Sequence, residues 1–296
     1  MKIIKGSSIA ALALSTVALS TLAPAAFAAG HYVTGVEGIQ AASAPPPGLY
    51  YLGYVVNYNI DSVSGAPGDN TGTVSALANR FVWISDYTFL GANYGAEAIV
   101  PFQATSLTFN GIGFNDTSRG LGDIYLGPVV MAWHGSQWDG IFALGEWLDN
   151  GSYSKTNPSS IGLGYKSTMV TLGGTFYPDS QKQWSVTALS RFEKNGKQTQ
   201  TEITRGNQLS VEWGVARQLG GGKQLGVVGY LQKQTSNDSG PGSNDLRPQK
   251  SAVGLEFDYP ILSQGLFLKF AGYKEYSSRD GATKGSLLRM TVVKAF

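Results

Sequence analysis

The 296-residue chain contains no cysteine and only two histidines. The lack of cysteine excludes a disulfide framework and all thiol chemistry. A Ser–His–Asp hydrolase needs a histidine oriented at its nucleophile. His31 falls in a proline-rich arm and His134 in a short predicted turn. The sequence therefore predicts no catalytic residues, no metal site and no bound cofactor.

Charged residues and long apolar runs are also scarce. Only 14% of the residues are charged. Removal of residues 1–28 takes away two of the 22 basic residues and none of the 20 acidic ones, which leaves the remainder balanced. This balance of charge argues against nucleic acid as a partner, because nucleic-acid-binding proteins carry a basic face. No stretch after residue 28 approaches the roughly 18 apolar residues of a membrane-spanning helix.

The N-terminus has the three parts of a secretory signal peptide. Lys2 and Lys5 supply the charged start, residues 9–22 the apolar centre, and Ala26-Phe27-Ala28 the small-residue cleavage site. The alternative, a retained membrane helix, is disfavoured because Pro24 ends the apolar run and no basic cluster follows. We expect cleavage before Ala29 and export from the cytoplasm.

Residues 29–48 show no periodicity and end in Pro45-Pro46-Pro47-Gly48. Prolines cannot donate to a strand ladder, so this segment is predicted to be an extended arm rather than a strand. The arm is expected either in the periplasm or inside the structure that follows. In the second case it could plug or gate a lumen.

From Leu49 onward, short segments alternate between apolar and polar residues. In the last segment, 284–296, Leu288, Met290 and Val292 share one side, and Arg289 lies on the other. A period of two indicates a β-strand. A lipid-facing Arg or Lys at the bilayer midplane would cost about 2–4 kcal/mol, so charges opposite the apolar row are expected to face inward.

Twelve such segments are predicted, and the connections between them alternate in length. An even number of strands, with short turns at one end and longer loops at the other, is the outer-membrane arrangement. We therefore predict an all-β fold for residues 49–296, a transmembrane up-and-down antiparallel β-barrel closed by the strand that ends at Phe296. A water-soluble sandwich is the alternative, and the signal peptide and the aromatic segment ends favour the barrel. The segments are 49–60, 77–86, 92–105, 121–133, 138–149, 160–177, 183–194, 207–219, 224–235, 250–261, 265–276 and 284–296.

Three motifs resemble one family. They are the run from Gly35 to Tyr50 with its Pro-Pro-Pro-Gly, the run Gly120-Leu121-Gly122-Asp123-Ile124-Tyr125-Leu126-Gly127-Pro128, and Gly206-Asn207-Gln208-Leu209. The chain resembles the outer-membrane barrels described as transporters of the meta-pathway of phenol degradation. This resemblance implies passage of aromatic or other small hydrophobic compounds across the bacterial outer membrane.

The charged residues opposite the apolar rows are predicted to line a lumen. Acids outnumber bases among them, so a weak cation preference follows as a hypothesis. Two functions stay open: a passive channel for small apolar or aromatic compounds, and a structural or partner-binding barrel whose lumen is filled. An enzyme is the least favoured class, and oligomeric state is left open. The lumen candidates are Arg80, Glu97, Asp123, Glu146, Arg191, Glu193, Glu212, Glu256, Asp258, Lys269, Glu275 and Arg289.

Overall fold

The computed structural model describes residues 30–296, and the predicted signal peptide lies outside the described residues. Among these residues, no helix is long and apolar enough to cross a bilayer. Two short 3₁₀ turns, Asn110–Ile112 and Leu262–Gln264, join strands. The strands are β1 (Gly48–Val63), β2 (Asn70–Phe89), β3 (Ala92–Phe109), β4 (Phe114–Leu121), β5 (Tyr125–His134), β6 (Trp138–Trp147), β7 (Ser167–Phe176), β8 (Trp184–Asn195), β9 (Gln208–Gly220), β10 (Lys223–Gln234), β11 (Gln249–Ile261), β12 (Leu266–Arg279) and β13 (Thr283–Ala295).

The strands form one closed antiparallel barrel. Except for β4 and β5, which both pair with β3, each strand pairs with its neighbour in sequence. β13 returns to pair with β1, from Tyr50 opposite Ala295 to Val63 opposite Thr283. The closed ring contains β1 to β3 and β5 to β13, which is twelve strands. Closure leaves no sheet edge to face hydrocarbon. The predicted twelve-stranded barrel is confirmed, including its closure by the last strand.

One predicted loop is wrong: most of residues 106–120 are strand. β3 pairs with β5 over residues 93–99 and with β4 over residues 102–109, so these two strands follow one another along the same edge of β3. Residues 122–124, which connect β4 to β5, interrupt the pairing along this edge. Ser, Thr and Asn occupy both faces of β4, so the segment lacks the alternation that identifies a strand. Backbone pairing can nevertheless continue beyond the apolar band. For the same reason β2 begins at Asn70 and not at residue 77.

The connections differ in length at the two ends of the barrel. At one end β9 and β10 are joined through Gly221 and Gly222, both at positive φ, as a two-residue hairpin turn requires. The loops 148–166, 196–207 and 235–248 lie at the other end. The short-turn end corresponds to the periplasm in outer-membrane barrels. It also holds the start of β1 and the end of β13.

The two faces of the wall carry different side chains. In β13, Leu288 is 63% exposed and Arg289 is 3% exposed. The exposed apolar row faces outward, toward lipid. Trp138, Trp184 and Tyr259 are exposed near the short-turn end, where aromatic rings suit the lipid–water boundary.

Residues 30–48 pack against the inward face of the wall. Ile39 belongs to one buried apolar cluster with Tyr230 of β10 and Leu287 of β13. Ala42 belongs to another, with residues of β2, β5, β6 and β8. Because these strands lie on different sides of the barrel, the arm is enclosed by the wall.

Candidate functional site

The arm crosses the lumen from one end to the other. Near the short turns, the Ser43 and Tyr177 hydroxyls lie 3.1 Å apart, and the Gln224 side chain donates to that of Gln40 at 3.3 Å. At the long-loop end, the backbone N–H groups of His31 and Tyr32 donate to the Glu193 carboxylate at 2.9 and 2.7 Å. The arm therefore lies where a transported molecule would pass.

Glu37 fixes the middle of the arm. It is the only Asp, Glu, Lys or Arg between residues 29 and 48. Its carboxylate lies 2.8 Å from Arg80 Nη1 and 2.8 Å from Arg191 Nη2, which reach it from β2 and β8. Arg289 of β13 donates to the carbonyls of Val36 and Glu37. Three guanidinium groups from separate wall strands thus meet one short stretch of the arm.

A second ionic layer lies closer to the short-turn end. Lys269 Nζ lies 3.2 Å from Glu256 and 3.5 Å from Asp258, and it donates to the Ile39 carbonyl at 3.1 Å. Arg289 Nη2 lies 2.6 Å from Glu256. Lys269 and Arg289 each join a wall carboxylate to a carbonyl of the arm. Buried charges need such partners, because an isolated ion in a low-dielectric interior is strongly destabilised.

Gly38 sits in the tightest approach of the arm to this layer. Its φ is +98°, a conformation that side chains rarely adopt. A Cβ atom here would lie 1.7 Å from Glu256 Oε2. Glycine at position 38 is therefore required by both the backbone angle and the space.

Glu212 of β9 also binds the arm. Its carboxylate accepts from the Glu37 backbone N–H at 3.1 Å and from the Tyr32 hydroxyl. Arg191 lies over the Tyr32 ring, 4.2 Å from its centroid. These contacts connect the middle of the arm to its outer end.

His31, Ser167 and Asp123 meet at the long-loop end. His31 Nδ1 lies 3.0 Å from Ser167 Oγ, and Nε2 lies 3.3 Å from Asp123 Oδ2. The imidazole stacks on Trp147 with centroids 5.5 Å apart and planes at 8°. Sequence reasoning did not bring these three residues together, because they are far apart in the chain and His31 lies in the arm, outside the predicted strands.

These contacts indicate an anchor rather than a nucleophile. Ser167 is 1% exposed, and its hydroxyl donates to Asn195 Oδ1 at 2.7 Å. The Asp123 carboxylate accepts backbone N–H groups of Gly151 and Leu163, both at 2.8 Å. Asp123 therefore holds the 148–166 loop against the barrel and the arm at once.

A cavity of about 550 Å³ lies between the outer half of the arm, the wall and the long loops. This volume is in the range of small-molecule sites. Tyr54 and Tyr230 both line it. Aliphatic side chains cover much of the remaining surface, and charged residues such as Arg80, Glu97 and Arg191 also line it. The aromatic lining residues are Tyr32, Tyr54, Tyr58, Trp147, Tyr153, Tyr165 and Tyr230.

Most predicted lumen residues occupy inward positions of the wall. Some of them do not touch the arm. Glu97 forms an ion pair with Arg80 at 2.6 Å, and Glu275 accepts hydrogen bonds from the hydroxyls of Tyr58 and Tyr230 at 2.8 and 2.7 Å. Asp258 lies beside Lys269 and Glu256 in the ionic layer.

Glu146 is an exception. It is exposed on the face of β6 that carries Leu144, while its neighbour Trp147 is 5% exposed on the inward face. The prediction that Glu146 faces the lumen is wrong. Glu146 lies one residue from the end of β6 at the long-loop end, where an outward side chain has passed the apolar band and meets water.

Sequence reasoning missed several ionic residues. Glu37 could have been found as the single charge of the arm. Lys250 lies 3.0 Å from Glu275 and its Nζ is 4.6 Å from the Tyr58 ring centroid. Arg205 lies 2.8 Å from Asp238 and joins two long loops, in polar stretches with no periodicity to assign a face.

Comparisons with known proteins agree with this architecture. The sequence profile of the family described as "Putative MetA-pathway of phenol degradation" matches residues 53–289. No curated protein sequence is significantly similar to the chain. An outer membrane channel from Pseudomonas putida F1 superposes with a TM-score of 0.75 at 12% identity, covering 90% of this chain and 100% of that one.

Two autotransporter barrels are more distant. The transport unit of AIDA-I from Escherichia coli gives a TM-score of 0.52 at 10% identity, covering 95% of this chain and 97% of that chain. The β domain of Bordetella BrkA gives 0.50 at 13% identity, covering 85% and 100%. These likenesses support the outer-membrane barrel fold.

Proposed function

Because the chain belongs to the family described for the MetA-pathway of phenol degradation, we propose that it is an outer-membrane channel for small apolar or aromatic compounds. Compounds cross by passive diffusion, down their concentration gradient. No catalytic step and no cofactor is part of the proposal. The solved Pseudomonas putida barrel, which is named an outer membrane channel, supports it.

The observation that carries the proposal is the aromatic cavity at the long-loop end. It offers tyrosine and tryptophan faces together with aliphatic side chains such as Val56, Ile99 and Leu287. Apolar surface removed from water contributes about 25 cal/mol per Å². A cavity of this lining therefore favours a compact hydrophobic solute over a sugar.

The arm supports a gated rather than a permanently open channel. Below the cavity, the lumen holds residues 36–44 and the ionic layers around Glu37 and Glu256. A compound held in the cavity would reach the periplasm after the arm shifts. The predicted lumen residues other than Glu146 then line its path, and their excess of acids favours cations weakly. Single-channel reversal potentials that favour anions would contradict this preference.

A filled structural barrel is the second candidate, and the same ion pairs favour it. If the arm never moves, the cavity is a blind pocket and the long loops are left as a surface for a partner. The channel and the filled barrel have the same fold. They differ in whether compounds cross the lumen.

Uptake by liposomes separates the two. Purified protein is reconstituted, and the rates of entry of a panel of monoaromatic compounds and of sugars of similar size are compared with protein-free liposomes. The channel predicts faster entry of the aromatics and little change for the sugars. Equal rates with and without protein would establish the filled barrel, and faster sugars would indicate a general porin.

A further inference from the structure

The lipid-facing surface of β8 to β11 carries four charged residues, and all four are basic. Arg217 and Lys223 lie near the short turns, and Lys194 and Lys233 lie near the long loops. Every acidic residue of these four fully described strands is inward by alternation. Each pair of cations therefore faces lipid without a carboxylate beside it on the same surface.

The spacing of the two pairs matches the thickness of the bilayer core. Lys223 and Lys233 are ten residues apart on β10. At about 3.4 Å per residue and a strand tilt of about 40°, this separation spans about 25 Å along the membrane normal, the height of the apolar band of such barrels. Arg217 and Lys223 thus lie at the level of the headgroups of the periplasmic leaflet.

Two aromatic rings bracket the periplasmic pair. Arg217 lies over the Trp184 ring at 5.5 Å, and Lys223 Nζ lies 5.4 Å from the Tyr259 centroid. In the sheet Arg217 is opposite Leu225, and Lys223 is the next outward position on that strand. The order across four strands is ring, cation, cation, ring, with the two cations two residues apart in register.

Two exposed lysines elsewhere on the protein are paired with carboxylates, unlike the cations of this surface. Lys274 lies 2.7 Å from Asp61, and Lys197 is paired with Glu202. The turn between β7 and β8, which precedes Trp184, contains Asp179. Its carboxylate accepts the backbone N–H groups of Gln183 and Trp184, both at 2.9 Å, and these bonds hold the pKa of Asp179 below its usual range.

We propose that Arg217 and Lys223, flanked by Trp184 and Tyr259, bind the headgroup of an anionic phospholipid in the periplasmic leaflet. A phosphodiester without an ammonium group of its own complements two adjacent cations, and the rings hold the cations at the boundary. The patch does not depend on what crosses the lumen.

Native mass spectrometry of the full barrel in detergent tests the proposal. Phosphatidylglycerol and phosphatidylethanolamine with the same acyl chains are titrated separately, and lipid adducts are counted. The expected result is about tenfold tighter binding of phosphatidylglycerol, lost in the double variant Arg217→Gln/Lys223→Gln. The matched control, Lys194→Gln/Lys233→Gln, removes two cations from β8 and β10 at the other end of the same surface and is expected to keep the preference.

Three outcomes would overturn it. These are no preference for phosphatidylglycerol in the wild type, an equal loss in both double variants, or a protein dimer that Arg217→Gln/Lys223→Gln separates. The last would assign the surface to a second copy of the chain. The exchange Arg217→Lys/Lys223→Arg keeps both charges and is expected to retain the preference, which separates lipid binding from a folding defect.

Discussion

The two halves of the lumen are built from different chemistry, although the same strands form both. From its middle to the short turns, the lumen holds the arm between ion pairs. Glu37 lies between Arg80 and Arg191 at the middle, where all three also line the cavity. Lys269 lies beside Glu256 closer to the short turns. The half near the long loops holds a cavity with a largely aromatic and aliphatic surface. The comparison teaches that charge positions the arm, while apolar surface is left for a solute. Each half can be disturbed separately.

Deletion of residues 31–44 is expected to have the largest effect. It removes the segment that crosses the lumen and leaves the barrel strands in place. Conductance in a planar bilayer should rise by about an order of magnitude or more. Unchanged conductance of the folded, heat-modifiable deletion variant would show that the arm does not obstruct the lumen.

Glu37→Gln is expected to have the next largest effect, because it removes one charge from the ionic half and keeps the shape of the side chain. Breaking a buried pair typically costs about 3–5 kcal/mol, since the remaining charges lose their partner. The arm should be released more often, and the frequency of channel openings should increase several-fold. Glu146→Gln, on the outward face, serves as the control and should behave as the wild type.

Gly38→Ala should act in the same direction with a smaller effect. The added methyl group meets the Glu256 carboxylate and is strained by the positive φ. Channel openings are expected to increase about two- to threefold. Gly65→Ala has a similar φ of +75° but nothing within 4 Å, so it should leave the openings unchanged. An equal response to both substitutions would contradict a role for the contact with Glu256.

Ala76→Trp tests the apolar half. Ala76 lines the cavity, and its neighbour Leu77 is exposed on the opposite face of β2. Filling the cavity should reduce uptake of aromatic compounds about two- to threefold, with conductance of small ions little changed. Leu77→Trp adds the same ring on the lipid side and should have no effect on uptake.

The fold could be predicted from the sequence because the bilayer imposes a strict alternation. Leu288, Met290 and Val292 opposite Arg289 are enough to assign both faces of the last strand. The predictions failed where the bilayer no longer acts on the side chains. β4 is polar on both faces, and Glu146 faces outward beyond the apolar band.

The interior was harder to predict. The contacts of the arm join residues up to 253 positions apart, such as Arg289 and the Val36 carbonyl, and no local pattern encodes them. The charge pattern showed which residues face the lumen. It did not show that Arg80, Arg191 and Arg289 meet a carboxylate or carbonyls brought in by a segment that has no periodicity.

A disulfide that ties the arm to the wall gives the most direct test of a gated channel. A Cβ built at Gly173 would lie 2.9 Å from the Ala42 Cβ, so the two positions are in contact. A shift of the arm by about 1 Å would bring them into the range of a disulfide. The chain has no other cysteine. In liposomes containing Ala42→Cys/Gly173→Cys, reduced protein should take up aromatic compounds at the wild-type rate, and oxidised protein should not. Equal uptake in the two states would contradict the account.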